Sequence, residues 1–545
     1  MLDRLSETRG LVATMRRAGL IAPLRPDKYL RIAAAARREG ATETLGFAIA
    51  ARRCPERPGL IDELGMLTWR QLDQRSDALA AALQALPGGA PDTVGIMCRN
   101  HRGFVEALVA VHRIGADVVL LNTSFAGPAL AEVVEREGTD VVVYDEEFAP
   151  AIDCALADYP GVRRVVAWTD DPADHQVTVE KLITAYDGQR PKRPGRRGKL
   201  ILLTAGTTGT PKGAKRSGGG PKELKAVLDR TPWRAEETTV VVAPMFHAWG
   251  FSQLILSAMM ACTVVTRRKF DPEATLQLVD RYRATGLSVV PVMFDRIMDL
   301  PDDVRKKYSC RSLRFAAASG SRMRPDVVTR FMDEFGPVIY NNYNATEAGM
   351  IATATPVDLR VAPDTAGTPA EGTAIRILDS ELRELPAGEI GCIYVRSSTQ
   401  FDGYTSGKNS KLHDGFMSSG DVGYLDNAGR LFVVGRDDEM IVSGGENVYP
   451  IEVEKTLAAH PEVAEAAVIG VDDEQYGQRL VAFVVLEAGA SATLDTLKQH
   501  VREHLANYKV PRDIRILDEL PRSSTGKIVR RDLRARIGTP TGNGA

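Results

Sequence analysis

The chain has 545 residues, of which 44% are hydrophobic and 26% charged, with a formal net charge of −2. That length and balance fit a globular protein of about three or four structural units, and give no overall charge that would draw in nucleic acid or an acidic surface. Six cysteines stand apart with no CxxC pair, the pattern of a reduced, cytoplasmic protein without a disulfide framework or a cysteine zinc site.

The first residues, MLDRLSETRG, lack the apolar core of a secretory signal. Residues 1–45 read as a helical extension whose arginines and lysines alternate with short apolar groups. Such an arm either touches the inner face of the membrane or a partner, or packs on the main body. From residue 67 helical and strand-like segments alternate: helix 67–86, buried strand 93–98, helix 104–116, strand 117–122, then strands 139–145 and 162–170. This alternation signals parallel sheet built from βαβ units. The charged stretch 188–199 reads as a solvated loop, with a phosphate patch as its alternative. A strand at 200–204 follows, and further strands are predicted at 239–244, 287–291, 314–319 and 337–343. The apolar run 254–265 falls short of the roughly 20 residues a bilayer requires and reads as a buried helix entering a strand.

After residue 400 the texture changes to short strands and turns, with Asn427-Ala428-Gly429 marking a hairpin. A compact helix–strand–strand–helix pattern then runs from residue 450 to about residue 505. The fold class is α/β: a large N-terminal domain (46–436) of parallel and mixed sheets flanked by helices, with a β-rich subdomain, and a small mobile α+β C-terminal domain (437–535). Residues 536–545 read as a disordered tail.

The most informative stretch is Leu202–Gly213, LLTAGTTGTPKG. Gly206 and Gly209 free the backbone to turn its amides inward. Thr204, Thr207, Thr208 and Thr210 add hydroxyls, and Lys212 adds a cation. A concave set of donors suits phosphate. The loop is not a Walker A motif, which needs four residues between its glycines and then Lys-Ser/Thr opening a helix.

Six motifs in order resemble the adenylate-forming superfamily of acyl-CoA synthetases, luciferases and adenylation domains. They are TAGTTGTPKG, APMFHAWG (243–250), YNATE (343–347), SSGD (418–421), GRDDEMIVSGGENVYP (435–450) and PRSSTGK (521–527). The likeness spans about residues 60–535 and is nearest to bacterial fatty-acid–CoA ligases. It implies a reaction in two halves, in which a carboxylate and ATP give acyl-AMP and pyrophosphate, and coenzyme A then displaces AMP.

By that resemblance Thr207, Thr208 and Gly209 hold the β- and γ-phosphates, Thr346 contacts the α-phosphate, and Glu347 binds Mg²⁺, a metal suited to carboxylate and phosphate oxygens. Tyr343 stacks on adenine beside Asn342, with Ser319, Gly320 and Ser321 lining the same pocket. Asp421 binds the ribose, and Arg436 assists. Lys527 bridges the acyl carboxylate and the α-phosphate as the catalytic cation. His247 stands at the acyl site, Asp438 is the hinge, and Gly444 and Gly445 line the pantetheine tunnel. Asn344 replaces the family's glycine in YNATE, and as the residue most tolerant of glycine-like angles it is expected to preserve the turn.

The acyl-site neighbourhood MFHAWGFSQL contains no acid. A buried substrate ammonium without a partner is costly, so an apolar acid is favoured, with Trp249 and Phe251 lining its pocket. The reading is a fatty-acid–CoA ligase using ATP, Mg²⁺ and coenzyme A. The alternatives are a fatty-acyl-AMP ligase that loads an acyl-carrier protein, a ligase for aryl or other acids, and a catalytically dead binding protein.

Overall fold

The fold comes from a computed structural model, which describes the chain outside residues 1, 41, 174–176, 205–211, 216–219, 346–347, 398–411, 444–445, 474–476, 524–525 and 539–545. Side chains are also left aside at 2–8, 204, 212–215, 221–222, 438, 442–443, 446–447 and 477. The chain forms two compact units. The larger comprises Met1–Asp364 with Ala370–Gly372 and Ser397–Asn409; the smaller comprises Thr365–Pro369, Thr373–Arg396 and Ser410–Ala545. Of the expected disordered tail, Arg536–Gly538 form a short helical turn whose Arg536 and Ile537 carbonyls accept from Arg515, and residues from 539 on lie outside the described residues.

In the larger unit, one sheet runs in the order Arg163–Trp168, Val141–Asp145, Thr93–Met97, Asp117–Leu120, Leu200–Thr204, Lys212–Lys215. All pairs are parallel except the last. Its central strands are buried throughout, which is why they read as unbroken Val/Ile runs rather than alternating patterns. Helix Arg102–Arg113 is the crossover between Thr93–Met97 and Asp117–Leu120.

A second sheet runs Gly349–Ala354, Ile339–Ala345, Phe315–Ser319, Gly286–Val289, Thr238–Val241, Thr263–Val265, Pro58–Asp62, Gly65–Thr68. The apolar run 254–265 is helix Ala248–Met259 feeding strand Thr263–Val265. Among the described residues no helix is long and apolar enough to cross a membrane. The charged stretch 188–199 is pinned to the body: Arg196 donates to the Asp92 carbonyl and Asp117 accepts from the Lys199 amide.

The extension forms helices Leu2–Arg17 and Pro26–Glu39, followed by Leu45–Arg53. One side of it docks on the body. Thr14 donates to Asp229 at 2.7 Å, and the Ala235 amide donates to the Ala18 carbonyl at 2.8 Å. Arg53 donates to the carbonyls of Gly19 and Leu20 and to Glu236. Glu39 faces Arg113, a buried cation also held by Asp73 and by Asp77 at 2.9 Å. The packed-arm expectation therefore describes this side of the extension.

The smaller unit holds two further sheets. In the first, strand Phe416–Leu425 turns through Asp426–Arg430 into Leu431–Arg436, with Gly429 at φ 74°, as Asn427-Ala428-Gly429 predicts. In the second, Gly477–Leu486 pairs antiparallel with Val463–Asp473 and parallel with Asp513–Ile516, and helices Pro450–Ala458 and Leu494–His504 pack on the sheet.

Candidate active site

The strand Leu200–Thr204 and its antiparallel neighbour Lys212–Lys215 bring Thr204 and Lys212 into register. The residues that join them, including Gly206, Thr207, Thr208, Gly209 and Thr210, lie outside the described residues, as do the side chains of Thr204 and Lys212. What aims the strand is visible. Gly198 passes so close to the Ala116 carbonyl that an added Cβ would lie 1.8 Å from its oxygen, so only glycine allows the approach.

Two and three strands away from Thr238–Val241, the second sheet gathers another group. Phe315–Ser319 runs parallel to Ile339–Ala345 with Ser319 opposite Asn342. Ser319, Gly320, Ser321, Asn342 and Tyr343 therefore share the carboxyl end of neighbouring parallel strands, where open α/β sheets place ligands. Asn342 is locked by Thr353, which donates to its Oδ1 at 3.0 Å. Gly320 sits at φ 104°, a conformation that favours glycine.

Asn344 does not take glycine-like angles, being absent from the non-glycine residues with positive φ. It sits instead at a strand irregularity, and its Nδ2 donates to Ser319 Oγ at 3.1 Å. The polar side chain ties the two strands together where glycine would leave a gap. Thr346 and Glu347 fall in the connection between the paired residues Ala345 and Gly349 and lie outside the described residues.

The segment 243–250 follows strand Thr238–Val241 and enters helix Ala248–Met259 at His247. His247 is half-buried against Phe246, with ring centroids 4.5 Å apart. Trp249 donates its indole N–H to the Val289 carbonyl at 2.8 Å, and Phe251 is buried in the main core. Gly250 crosses over the segment: a Cβ there would lie 2.2 Å from the Pro244 oxygen.

One positioning residue escaped the sequence reading. Asn100, 4% exposed, donates to the Ala243 carbonyl at 2.9 Å and accepts from the Met245 amide at 2.8 Å. It thus splints the segment that carries His247. The only signal in the sequence is an amide residue placed three positions after a buried strand.

In the smaller unit Asp421 and Arg436 face each other across an antiparallel pair, with carboxylate and guanidinium 3.4 Å apart. Lys527 joins them electrostatically. Its backbone is held in a tight turn, where the Ser523 amide donates to the Lys527 carbonyl at 2.7 Å and Gly526 takes φ 78°. Much of the side chain's area is open, whereas protein crowds its ammonium. Desolvation lowers the Lys527 pKa below the ordinary lysine value, Asp421 and Glu439 oppose the shift, and Arg436 adds to it. The crowding fixes the direction, and the open area limits the size.

Glu439 was also missed by the sequence reading. Arg530 links it, at 3.5 Å, to the buried Glu454 at 2.7 Å. The side chain of Asp438 and residues Gly444 and Gly445 lie outside the described residues.

Other chemistries have little support. Burial pushes the Cys54 thiol up to about 11 and those of Cys262 and Cys310 to about 12, so none is a ready thiolate. Among the described residues, Cys98, His101 and Asp145 are the one buried group with metal-ligand character. There the Gly103 amide donates to His101 Nδ1 while Nε2 lies 2.7 Å from Asp145. That arrangement fixes the proton on Nε2, the atom a metal would need, and makes the group a structural latch.

Comparison with known proteins fits this geometry. Residues 47–405 match the family of AMP-binding enzymes and 452–527 match the AMP-binding enzyme C-terminal domain. A feruloyl-CoA synthase of Amycolatopsis sp is 32% identical over 484 residues, covering 87% of this chain and 94% of the relative. A fatty acid–[acyl-carrier-protein] ligase of Streptomyces coeruleorubidus is 29% identical over 509 residues, covering 89% and 95%. The o-succinylbenzoate CoA synthetase of Bacillus subtilis, solved with its acyl-adenylate intermediate, superposes with a TM-score of 0.74 at 26% identity, covering 90% of this chain and 97% of that one.

Proposed function

Because the chain belongs to the AMP-binding enzyme family, we propose that it is a fatty-acid–CoA ligase of the cytoplasm. The coarser chemistry is that of the family's acid–CoA ligases: ATP, Mg²⁺ and coenzyme A are used, an acyl-adenylate is the intermediate, and AMP is the product. The fatty acyl chain and the residue roles are our reading.

The observation that carries the choice of acid is the segment Met245–Leu254. It holds His247 half-buried against Phe246, carries Trp249 and Phe251, and supplies no carboxylate for a substrate ammonium. An aryl acid is the second reading, favoured by the feruloyl-CoA synthase relative. Delivery to a carrier protein is the third, favoured by the carrier-protein ligase relative.

In this reading the amides and hydroxyls of Thr207, Thr208 and Gly209 grip the terminal phosphates, helped by Thr204, Gly206, Thr210 and Lys212. Tyr343, with Asn342 and Ser319–Ser321, receives the adenine, and Asp421 receives the ribose diol. The Asp421–Arg436 pair suits that task, since a carboxylate accepts from hydroxyls and a guanidinium donates to phosphate oxygens. Mg²⁺, held by Glu347 beside Thr346, would spread the charge of the phosphates. Lys527 neutralises the approach of carboxylate to α-phosphate, where charge builds in the transition state. Rotation about Asp438 then presents Gly444 and Gly445 to the thiol substrate, a hinge transition between two discrete arrangements.

The test is turnover of purified protein with ATP, Mg²⁺ and palmitate, with and without coenzyme A, and in parallel with ferulate. AMP formation that needs palmitate and coenzyme A supports the ligase reading. Preference for ferulate moves the assignment to aryl acids, and acyl-AMP that stalls with coenzyme A present moves it to a carrier protein.

A further inference from the structure

Helix Pro26–Glu39 carries two differently used faces. The inner one packs on the body through Ala35, through Lys28, whose ammonium donates to the Arg53 carbonyl, and through Glu39 facing Arg113. The outer one, at the spacing of helical neighbours, presents Pro26, Tyr29, Leu30, Ala33 and Ala34 to solvent. Leu30 is 74% exposed and Tyr29 is 49% exposed. A surface helix ordinarily turns polar residues outward, and single exposed leucines mean nothing, but an apolar stripe at helical spacing marks a contact surface.

The stripe extends beyond the helix. Tyr29 donates its hydroxyl to the Ala22 carbonyl at 2.7 Å, which fastens the linker containing Ile21, itself 45% exposed, against the first turn. Arg25 and Arg31, which share Asp27 at 3.3 and 3.4 Å, and Arg37, all exposed, flank the stripe. Charge is distributed to match. The first 40 residues hold nine arginines and lysines against four acids, whereas the whole chain carries −2. The remaining 505 residues are therefore net negative, and the excess positive charge lies on the arm that bears the exposed stripe.

We propose that the outer face of helix Pro26–Glu39, with its linker, docks on an anionic lipid surface. Leu30, Tyr29 and Ile21 enter the boundary between headgroups and acyl chains, and Arg25, Arg31 and Arg37 meet the phosphates. An apolar face bounded by cations is the physical pattern of helices that lie in the plane of a membrane interface. A hydrophobic protein partner would reward the stripe and gain nothing from the arginines. This surface is remote in sequence from every residue of the ligase reading, and the inference stands or falls without it.

The experiment is flotation of the full chain with phosphatidylcholine vesicles, with and without phosphatidylglycerol, at low and high salt, with molecular mass followed by light scattering. The wild type is expected to float only with the anionic vesicles and to be released by salt. At about fivefold per cation near an anionic surface, Arg31→Gln with Arg37→Gln weakens flotation by roughly 25-fold. Leu30→Asp abolishes it, and all variants keep the melting temperature and ATP-dependent activity of the wild type, because these side chains face solvent. Absence of flotation overturns the proposal, as does flotation that Leu30→Asp leaves unchanged. So does a dimer that Leu30→Asp dissolves, since that result assigns the face to a second copy of the chain.

Discussion

Replacing Lys527 with alanine separates the two half-reactions. The carboxylate and the α-phosphate are both anionic, and the proposed role of the ammonium is to offset the charge of their joining. Two unit charges about 4 Å apart interact by roughly 4 kcal/mol at an effective dielectric constant near 20. Lys527 keeps much of its area open, and Asp421 and Glu439 already share its charge, so we take about 2–4 kcal/mol, or roughly 30- to 1,000-fold in rate. The assay is pyrophosphate release from ATP and palmitate, set beside thioester formation from synthetic palmitoyl-AMP and coenzyme A. The first should fall by that factor while the second changes less than about threefold, a difference below 1 kcal/mol. Equal losses in both would refute the assignment. The pH profile adds a sign. Adenylation needs the charged form and so declines as pH rises through the pKa of Lys527. Because that pKa lies below the ordinary 10.5, the alkaline limb appears earlier than an unperturbed lysine would give. Thioester formation should lack that limb.

The same depressed pKa means that Lys527 costs the fold stability: between its folded and unfolded pKa the unfolded chain binds more protons, so stability rises with pH there, and Lys527→Met should raise the melting temperature near neutrality. Asn100→Ala leaves the Ala243 carbonyl and Met245 amide unsatisfied and should cost about 2–4 kcal/mol, read by urea unfolding, with a raised KM for the acid and a nearly unchanged KM for ATP. Gly198→Ala drives a methyl into the Ala116 carbonyl and should destabilise by about 1–3 kcal/mol or more, measured as a lower melting temperature together with weaker ATP binding by calorimetry. Burial would raise the Asp73 pKa, but Arg113 and Arg52 overcome it and lower it; its contribution is present above the ordinary carboxylate pKa and is lost as pH falls through the folded value. Asp73→Asn should therefore be less stable than the wild type at neutral pH, with the gap closing in acid unfolding curves.

Several of the strands legible in the sequence, such as Thr93–Met97 and Phe315–Ser319, are buried throughout. Runs such as Leu200–Thr204 and Val141–Asp145 announce themselves because nothing polar interrupts them. The hairpin Pro58–Asp62 with Gly65–Thr68 went unread because its second strand is largely exposed and its residues follow no apolar alternation. Strand Lys212–Lys215 was hidden for a different reason: a segment reading Lys-Gly-Ala-Lys has no strand propensity of its own, and pairing with Leu200–Thr204 supplies its order. At the site, residue types with a chemical signature stood out, as with the paired Asp421 and Arg436. Those that act by holding backbone did not: Asn100 is 143 residues from the carbonyl it bonds, and only the fold brings them together. Asn344 shows the converse, since its identity suggested a backbone conformation and its use is a side-chain hydrogen bond to Ser319.

The central claim is tested most directly by pyrophosphate–ATP exchange in the absence of coenzyme A, using labelled pyrophosphate. The account predicts exchange that depends on an added apolar carboxylic acid and on Mg²⁺, and that is lost with Lys527→Ala. Acid-dependent cleavage of ATP to ADP and phosphate, or no exchange with palmitate, shorter fatty acids or ferulate, would contradict it.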